Sequence, residues 1–208
     1  MKLLLVDRNI GMCDAWKKHF IDLPSVEIIH SQFEEIKEFD CIVSPANSFG
    51  LMDGGIDLAI INFFGVQLMQ RVQQKIIKEY LGEQPVGTSM IVETKHEKHP
   101  YLAHTPTMRV PMDIRNTDYP YLAMWAMLRT VYHHNASQSE PKINSVLCSG
   151  LGTATGRVPF VQAARQMSLA YKNYLRVPNY IDWNYASGRQ NDIRFGGLDG
   201  FNFPADWD

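Results

Sequence analysis

Short apolar runs alternate with longer stretches of helical periodicity along this chain. The short runs, which are typical of buried strands, lie at residues 3–6, 26–29, 41–44, 89–93, 101–105 and 143–148. The stretches with apolar residues at helical spacing lie at residues 10–22, 56–80, 119–134 and 159–174. Strands that alternate with helices in this way predict an α/β sandwich with a mostly parallel sheet.

Glycine and proline residues indicate where the predicted helices end. Pro24 follows the first helical stretch, and proline cannot continue a helix. Gly65 lies inside the second stretch, where glycine is unfavourable, so we expect two helices there. The charged segment KHEKHP at 95–100 predicts a turn between two strands. We expect its histidines, His96 and His99, to be solvated and not to bind a metal.

The composition changes after residue 177. From Pro178 onward Asn, Gly and Asp become frequent, and the apolar residues are mostly aromatic. A disordered tail would rarely contain so many aromatic residues. We therefore expect one domain at 1–177 and an irregular extension at 178–208 that packs across it. The aromatic residues of this extension are Tyr180, Trp183, Tyr185, Phe195, Phe201, Phe203 and Trp207.

Charge and cysteine content exclude several classes of protein. The formal net charge of −2 gives no electrostatic reason to expect a nucleic-acid polymer as a partner. Cys13, Cys41 and Cys148 form no CxxC pair, so we expect reduced thiols in a cytoplasmic protein. No apolar run approaches the roughly 20 residues of a membrane helix. We expect a monomer without contact to a membrane.

Residues 41–57, CIVSPANSFGLMDGGID, contain the first candidate site. An apolar strand ends at Ser44, a loop with Gly54 and Gly55 follows, and Asp57 stands where a helix begins. Glycines let the backbone approach a ligand closely, and a helix N-terminus offers free N–H groups to an anion. Asn47 and Asp57 are polar groups that a core would not select. This order predicts a site for an anionic or polyhydroxylated ligand.

Residues 149–159, SGLGTATGRVP, contain the second candidate site. This glycine loop also follows an apolar strand and precedes a helix, so its backbone N–H groups could surround a pyrophosphate. No Lys-Ser or Lys-Thr pair closes the loop, which excludes a Walker A motif. Ligands of doubly wound α/β folds bind beyond the carboxyl ends of strands. We therefore expect both loops to line one crevice.

The two motifs together resemble those of macro domains, which bind ADP-ribose. The resemblance covers about residues 26–176 and implies a three-layer α/β/α sandwich with a mixed, mostly parallel sheet. It also implies a ligand, ADP-ribose or an ADP-ribosylated substrate, and no cofactor or metal. Ser44 stands where many members have asparagine, and Asp53 replaces one glycine of the usual triplet.

The resemblance implies roles for individual residues. Asn47 matches the asparagine that binds the distal ribose, and Asp57 matches the acid that acts near the anomeric carbon in hydrolytic members; these two are the candidate catalytic residues. The usual adenine-binding aspartate is replaced by Gln32 or Phe33, depending on the register. The candidate ligand-binding residues are Gln32, Phe33, Ser44, Ala46, Asn47, Gly54, Gly55, Ile56, Gly150, Gly152, Thr153, Ala154, Thr155, Gly156 and Arg157.

Alternatives remain open at this point. Asp57 could serve only to stabilise a helix start, because acidic residues are favoured there, and Asn47 could be a turn residue. As an enzyme, the protein would release ADP-ribose from an adduct or dephosphorylate ADP-ribose 1″-phosphate. Alternatively, it would bind ADP-ribose or an NAD-derived nucleotide without turnover, as a reader or a sponge.

Overall fold

The computed structural model describes residues 1–137 and 141–193. The strands are β1 (Lys2–Asp7), β2 (Val26–His30), β3 (Cys41–Ser44), β4 (Met90–Glu93), β5 (Tyr101–His104) and β6 (Ser145–Cys148). The helices are α1 (Ile10–His19), α2 (Gly55–Phe64), α3 (Gln67–Tyr80), α4 (Tyr119–Ala136), α5 (Phe160–Leu175) and α6 (Trp183–Ile193). A short 3₁₀ helix spans Phe33–Glu35. The alternation of strands and helices follows the sequence prediction.

The strands form one sheet in the order β2-β1-β6-β3-β5-β4. All neighbouring strands are parallel except β4, which runs antiparallel to β5 at the edge. The predicted mixed, mostly parallel sheet is confirmed. Because β1, β6, β3 and β5 share one direction, the loops at their carboxyl ends leave the same edge of the sheet.

Alternate residues of the strands pack into two separate cores. In β1, Leu3 and Leu5 belong to the core that contains α1, α4 and α5. Leu4 and Val6 belong to the core that contains α2 and α3. This alternation follows from the two-residue period of a strand. Helices therefore cover both faces of the sheet, as in the predicted three-layer sandwich.

Gly65 separates α2 from α3, as predicted. Its φ is +90°, a conformation that glycine adopts without the steric penalty of a side chain. Its N–H donates to the carbonyl of Ile61, which completes the last turn of α2. Within the described ranges, no helix combines the length and apolar character that crossing a membrane requires.

Part of the carboxyl-terminal extension differs from the prediction of an irregular segment, because residues 183–193 form α6. Arg189 of this helix lies 4.9 Å from the ring centroid of Trp125 in α4 and donates to the hydroxyl of Tyr121 at 2.5 Å. These contacts stabilise a helix that the Asn and Gly content of the segment did not indicate. The aromatic residues Phe195, Phe201, Phe203 and Trp207 lie outside the described residues.

The histidines of the 95–100 turn also differ from expectation. His99 is buried, its ring stacks on Phe39 with centroids 3.8 Å apart, and its Nδ1 lies 2.9 Å from the Phe39 carbonyl oxygen. The prediction of a solvated side chain is therefore wrong for His99. His96 stacks on His99 with a centroid distance of 4.9 Å. Sequence periodicity could not indicate this packing, because both residues lie outside the strands.

Candidate functional site

The two glycine loops line one cleft at the carboxyl edge of the sheet. They follow β3 and β6, which are paired in parallel with Cys41 opposite Val146 and Ile42 opposite Leu147. The cleft opens to solvent and has a volume of about 130 Å³. Of the candidate residues, those that line it are Ala46, Asn47, Gly54, Gly55, Ile56, Asp57, Gly150, Gly152, Thr153, Ala154, Thr155 and Gly156.

Asn47 holds the first loop in shape with its side chain. Its Oδ1 accepts from the N–H groups of Phe49 and Leu51 at 3.1 and 3.2 Å, and its Nδ2 donates to the Leu51 carbonyl at 2.8 Å. A side-chain amide has two N–H donors, of which the Leu51 carbonyl uses one, and Asn47 also lines the cleft. Asn47 therefore has the structural role of a turn residue and also a position at the site.

Gly50 lets the first loop pack closely against α3. Its φ is +64°, and a Cβ atom there would lie 2.8 Å from Cγ1 of Val72 and 2.9 Å from Cδ1 of Ile76. Both distances are shorter than carbon–carbon contact. Glycine at this position therefore permits both the left-handed backbone and the close packing of the loop.

Three carbonyl groups of the second loop accept hydrogen bonds within the protein. The carbonyls of Gly152, Ala154 and Gly156 accept from the N–H groups of Val158, Arg157 and Ile114 at 3.1, 3.0 and 3.0 Å. Because these oxygens are occupied, the negative ends of their dipoles do not point freely into the cleft. These three carbonyls would therefore repel an anion in the cleft less than free carbonyls would.

Close packing fixes the path of the second loop. A Cβ atom at Gly156 would lie 2.5 Å from the carbonyl oxygen of Gly152 and 2.6 Å from Cγ1 of Ile114. At the start of the loop, the N–H of Gly150 donates to Oδ2 of Asp7 at 3.2 Å. Asp7 ends β1, so this carboxylate connects a third strand to the loop. Sequence reasoning did not assign Asp7 to the site.

Asp57 lies in the first turn of α2, but its side chain does not cap the helix. Gly54 is the N-cap residue, and no side chain caps the helix. Oδ1 of Asp57 instead accepts from the hydroxyl of Ser44 at 2.6 Å. Asp57 lines the cleft although the residue is only 9% exposed. If Asp57 were only an acidic residue favoured at a helix start, neither its burial nor its hydrogen bond to Ser44 would be explained.

Burial changes the acidity of Asp57. The pKa of its carboxyl group is raised to about 7: removal from water raises it most, the Ser44 hydrogen bond lowers it, and the nearby Asp53 carboxylate also raises it. A carboxyl group with a pKa near neutrality exists in both protonation states at physiological pH. It can therefore accept or donate a proton in a reaction.

A segment between β5 and α4, residues 107–114, forms a third wall of the cleft. Thr107 donates its hydroxyl to the Pro45 carbonyl at 2.9 Å, and Met108 pairs with Asn47 in a parallel bridge. At its other end, the N–H of Ile114 donates to Gly156. This bridging segment thus connects both glycine loops. Sequence reasoning missed its lining residues, Thr107, Met108 and Pro111, because the segment has no periodicity.

A buried pair lies beneath the first loop. Nε2 of Gln84 donates a hydrogen bond to the backbone carbonyl of His104 at 3.2 Å. Oε1 of Gln84 lies 2.7 Å from Nδ1 of the His104 ring. Because Oε1 can only accept, Nδ1 carries the proton. Burial lowers the pKa of His104 to about 3, so the ring is neutral. The N–H of Gln84 also donates to Ser48, which connects the pair to the first loop.

Four candidate ligand-binding residues do not line the cleft. Phe33 is buried in the core of α2 and α3, with its ring 5.6 Å from that of Phe63. Gln32 is the exposed residue before the 3₁₀ helix. The structure therefore does not support stacking or hydrogen bonding of a ligand by either residue within this cleft. The ring of Phe33 packs in this core instead of facing the cleft.

The other two are Ser44 and Arg157. Ser44 is completely buried and donates a hydrogen bond to the lining residue Asp57. Arg157 is exposed, has a φ of +56°, and follows the lining residue Gly156. Among residues 1–137 and 141–193, no cluster of three histidine, cysteine or acidic side chains is arranged to hold a metal ion.

Comparison with known proteins identifies relatives of this architecture. The chain is 30% identical over 142 residues to an uncharacterised protein of Aquifex aeolicus, covering 68% of this chain and 78% of that protein. It also resembles the macrodomain of Mycobacterium tuberculosis DarG, with a TM-score of 0.57, 17% identity, and coverage of 69% of this chain and 87% of the other.

Two further solved structures are described with a nucleotide. An Oceanobacillus iheyensis macrodomain with ADP has a TM-score of 0.53 and 19% identity, covering 74% of this chain and 83% of the other. A Trypanosoma brucei macrodomain in complex with ADP-ribose has a TM-score of 0.53 and 17% identity, covering 83% of this chain and 57% of the other. At these identities the likeness shows a common fold. The Macro domain family matches residues 43–167, which include both glycine loops. The chain belongs to the Macro domain family.

Proposed function

We propose that this protein binds ADP-ribose in the cleft and hydrolyses a bond at C1″ of the distal ribose. The observation that carries the proposal is the meeting of both glycine loops and the buried Asp57 at one cleft. The structures of relatives that are described with ADP and with ADP-ribose support the choice of ligand.

The second loop is the proposed pyrophosphate site. The carbonyls of Gly152, Ala154 and Gly156 are hydrogen-bonded within the protein, and residues 152–156 line the cleft. The proposed distal ribose lies against Gly54 and Gly55, at the start of α2. The helix N-terminus adds free N–H groups and a positive dipole there. Binding of the pyrophosphate orients the ribose for reaction, which is the usual contribution of a nonreacting group.

Asp57 is the proposed general base. In its ionised form it accepts a proton from a water molecule, whose oxygen forms a bond to C1″ while the bond from C1″ to the acceptor breaks. The acceptor leaves with the electron pair of that bond. A carboxyl pKa of about 7 makes Asp57 a stronger base than an exposed aspartate, and it is still substantially ionised at neutral pH.

The binding part of the proposal is tested by thermal unfolding with ADP-ribose, AMP and S-adenosylmethionine. ADP-ribose at 100 times its Kd should stabilise the protein by about 2.7 kcal/mol. S-adenosylmethionine, which has no pyrophosphate, should produce no comparable shift. Equal shifts with all three compounds, or none with ADP-ribose, would contradict the proposed ligand.

The catalytic part is tested with the Asp57→Asn variant on a mono-ADP-ribosylated protein and on ADP-ribose 1″-phosphate. Turnover should fall by about 10²–10⁴-fold, whereas the Kd for ADP-ribose should remain within a few-fold. For the unaltered protein, the rate should rise with pH through about 7, because the base must lose its proton. An Asp22→Asn variant, altered at an exposed carboxyl group outside the cleft, should retain turnover.

A second candidate function is binding without turnover, as a reader or a sponge of ADP-ribose. This function is favoured because both candidate catalytic side chains already have hydrogen-bond partners within the protein. The Asn47 amide donates to the Leu51 carbonyl, and the buried Asp57 carboxyl accepts from Ser44. ADP-ribose binding without release from either adduct would select this function.

A further inference from the structure

Among the described residues, the charged side chains that line the cleft are both acidic. Asp53 precedes α2 and Asp57 lies in its first turn, whereas no lysine, arginine or histidine of the described ranges lines the cleft. Asp53 is exposed, and its carboxylate lies within electrostatic range of Asp57. The end of the cleft beside the proposed position of C1″ therefore carries negative charge.

The arginines that follow lining residues in the sequence have carboxylates as their neighbours. Arg109 forms a two-pronged ion pair with Glu83, at 2.6 and 2.9 Å. Arg157 follows the second loop and lies within electrostatic range of Asp113. Among the described residues, no arginine or lysine acts on the pKa of Asp57. The negative charge at this end of the cleft is therefore not balanced by a nearby cation.

The N-terminus of α2 would attract an anion to the same place, but the two carboxyl groups outweigh it. Gly54 is the N-cap residue, and no side chain caps the helix. The dipole of a helix is equivalent to about half an elementary charge at this end. Asp53, directly before Gly54, carries a full negative charge, and Asp57 adds a second when it is ionised. The balance of charge around the helix start is negative.

We infer that the group attached to C1″ in the substrate is uncharged or positively charged, as in an ester, ether or guanidine adduct, and that Asp53 is a specificity-determining residue that excludes a phosphate there. This inference depends on the proposed ADP-ribose site and selects between its two reactions. A phosphate on C1″ would lie against two acidic side chains without a cation to balance its charge. Such unpaired like charges lower the affinity for one ligand relative to another.

Calorimetric titration can compare three analogues of ADP-ribose that are not hydrolysed, because a short carbon chain replaces the oxygen on C1″. The chain ends in a hydroxyl, an ammonium or a phosphonate group. At low ionic strength the phosphonate analogue should bind about tenfold more weakly than the hydroxyl analogue, and the ammonium analogue should bind at least as tightly as the hydroxyl analogue. The tenfold ratio should shrink in about 0.5 M salt, which screens charges.

Variants of Asp53 test its part in this discrimination. In Asp53→Asn the ratio of the Kd values for the phosphonate and hydroxyl analogues should fall to about threefold or less. Asp53→Glu, which keeps the charge, should preserve most of the ratio. Asp22→Asn, which removes an exposed carboxyl group outside the cleft, should preserve all of it. An unchanged ratio in Asp53→Asn would overturn the role of Asp53.

These measurements separate the inference from the proposed function. Failure of ADP-ribose and of all three analogues to bind would overturn the proposed function itself. Binding of the phosphonate analogue as tightly as the hydroxyl analogue would leave the ADP-ribose site in place and overturn only the inference. A higher kcat/KM for ADP-ribose 1″-phosphate than for a mono-ADP-ribosylated protein would overturn the inference as well, although it would support hydrolysis at C1″.

Discussion

At the scale of single residues, Asp57 has the least favourable position in the site. Its carboxyl group is buried and accepts a hydrogen bond from the Ser44 hydroxyl. A second acid, Asp53, lies near enough to raise its pKa. Burial of a charge without a cationic partner destabilises a protein. The proposed catalytic role would explain why a carboxyl group occupies this position. Unfavourable polar groups that persist are often found at functional sites.

The Asp57→Asn variant should therefore change the pH dependence of stability. The folded pKa of about 7 exceeds the ordinary value of 3.8, so the native state binds the proton more tightly than the unfolded state. The contribution of Asp57 to stability is complete at acidic pH and is lost as the pH rises towards 7. As the pH rises from 4 to 8, the unaltered protein should lose roughly 2–4 kcal/mol of unfolding free energy that the variant retains.

Urea unfolding at several pH values measures this difference. The m-values of the two proteins should agree, so that the midpoints report stability. Asp22→Asn provides the matched control, since it removes an exposed carboxyl group that does not act on the pKa of Asp57 and should preserve the original pH dependence. Parallel stability curves for Asp57→Asn and the unaltered protein would show that burial does not perturb this group.

At the scale of elements, the sequence predicted regular structure better than irregular structure. The strands and the interruption at Gly65 followed from apolar periodicity and glycine chemistry. The bridging segment did not, because residues 107–114 contact both loops through tertiary hydrogen bonds that leave no pattern in the sequence. Phe33 shows the same limit. An aromatic residue after a strand suits a ligand or a core, and tertiary packing selected the core.

The glycines of the two loops should differ in their tolerance of alanine. Gly156→Ala should destabilise the protein by about 2 kcal/mol or more and weaken ADP-ribose binding, because a Cβ atom would clash with the backbone of Gly152. Gly54→Ala is the matched control. A Cβ atom at Gly54 meets nothing within 4 Å, and its φ of −149° is an ordinary extended conformation.

Thermal unfolding and titration with ADP-ribose distinguish these two variants. Gly54→Ala should unfold within about 0.5 kcal/mol of the unaltered protein, as a substitution without steric conflict does. Any loss of affinity in that variant would then report contact with the ligand. If Gly156→Ala were as stable as Gly54→Ala, the second loop would have to be less closely packed than described.

At the scale of the whole molecule, the two cores make burial nearly complete in the central strands. Cys41 in β3 and Cys148 in β6 are fully buried, and burial raises the pKa of both thiols. Cys13 in α1 is also buried with a raised pKa. Because the thiolate is the reactive form, all three cysteines should react only when the molecule opens.

Alkylation followed by intact mass measurement tests this expectation. The native protein should take up fewer than one label per chain during incubation at neutral pH, and the denatured protein should take up one at each of Cys13, Cys41 and Cys148. ADP-ribose should slow the labelling further if it binds the folded state. Rapid labelling of Cys41 or Cys148 without unfolding would contradict the described cores.

The bridging segment has a consequence for how such a protein could diversify. It reaches both glycine loops, yet it is supplied by the connection from β5 to α4 and not by either loop. Substitutions at Val110 or Met112, which are exposed on this segment, would therefore leave the backbone of the proposed pyrophosphate loop unchanged. Descendants of one ancestral gene could thus vary a few exposed positions of this connection without rebuilding the proposed nucleotide site.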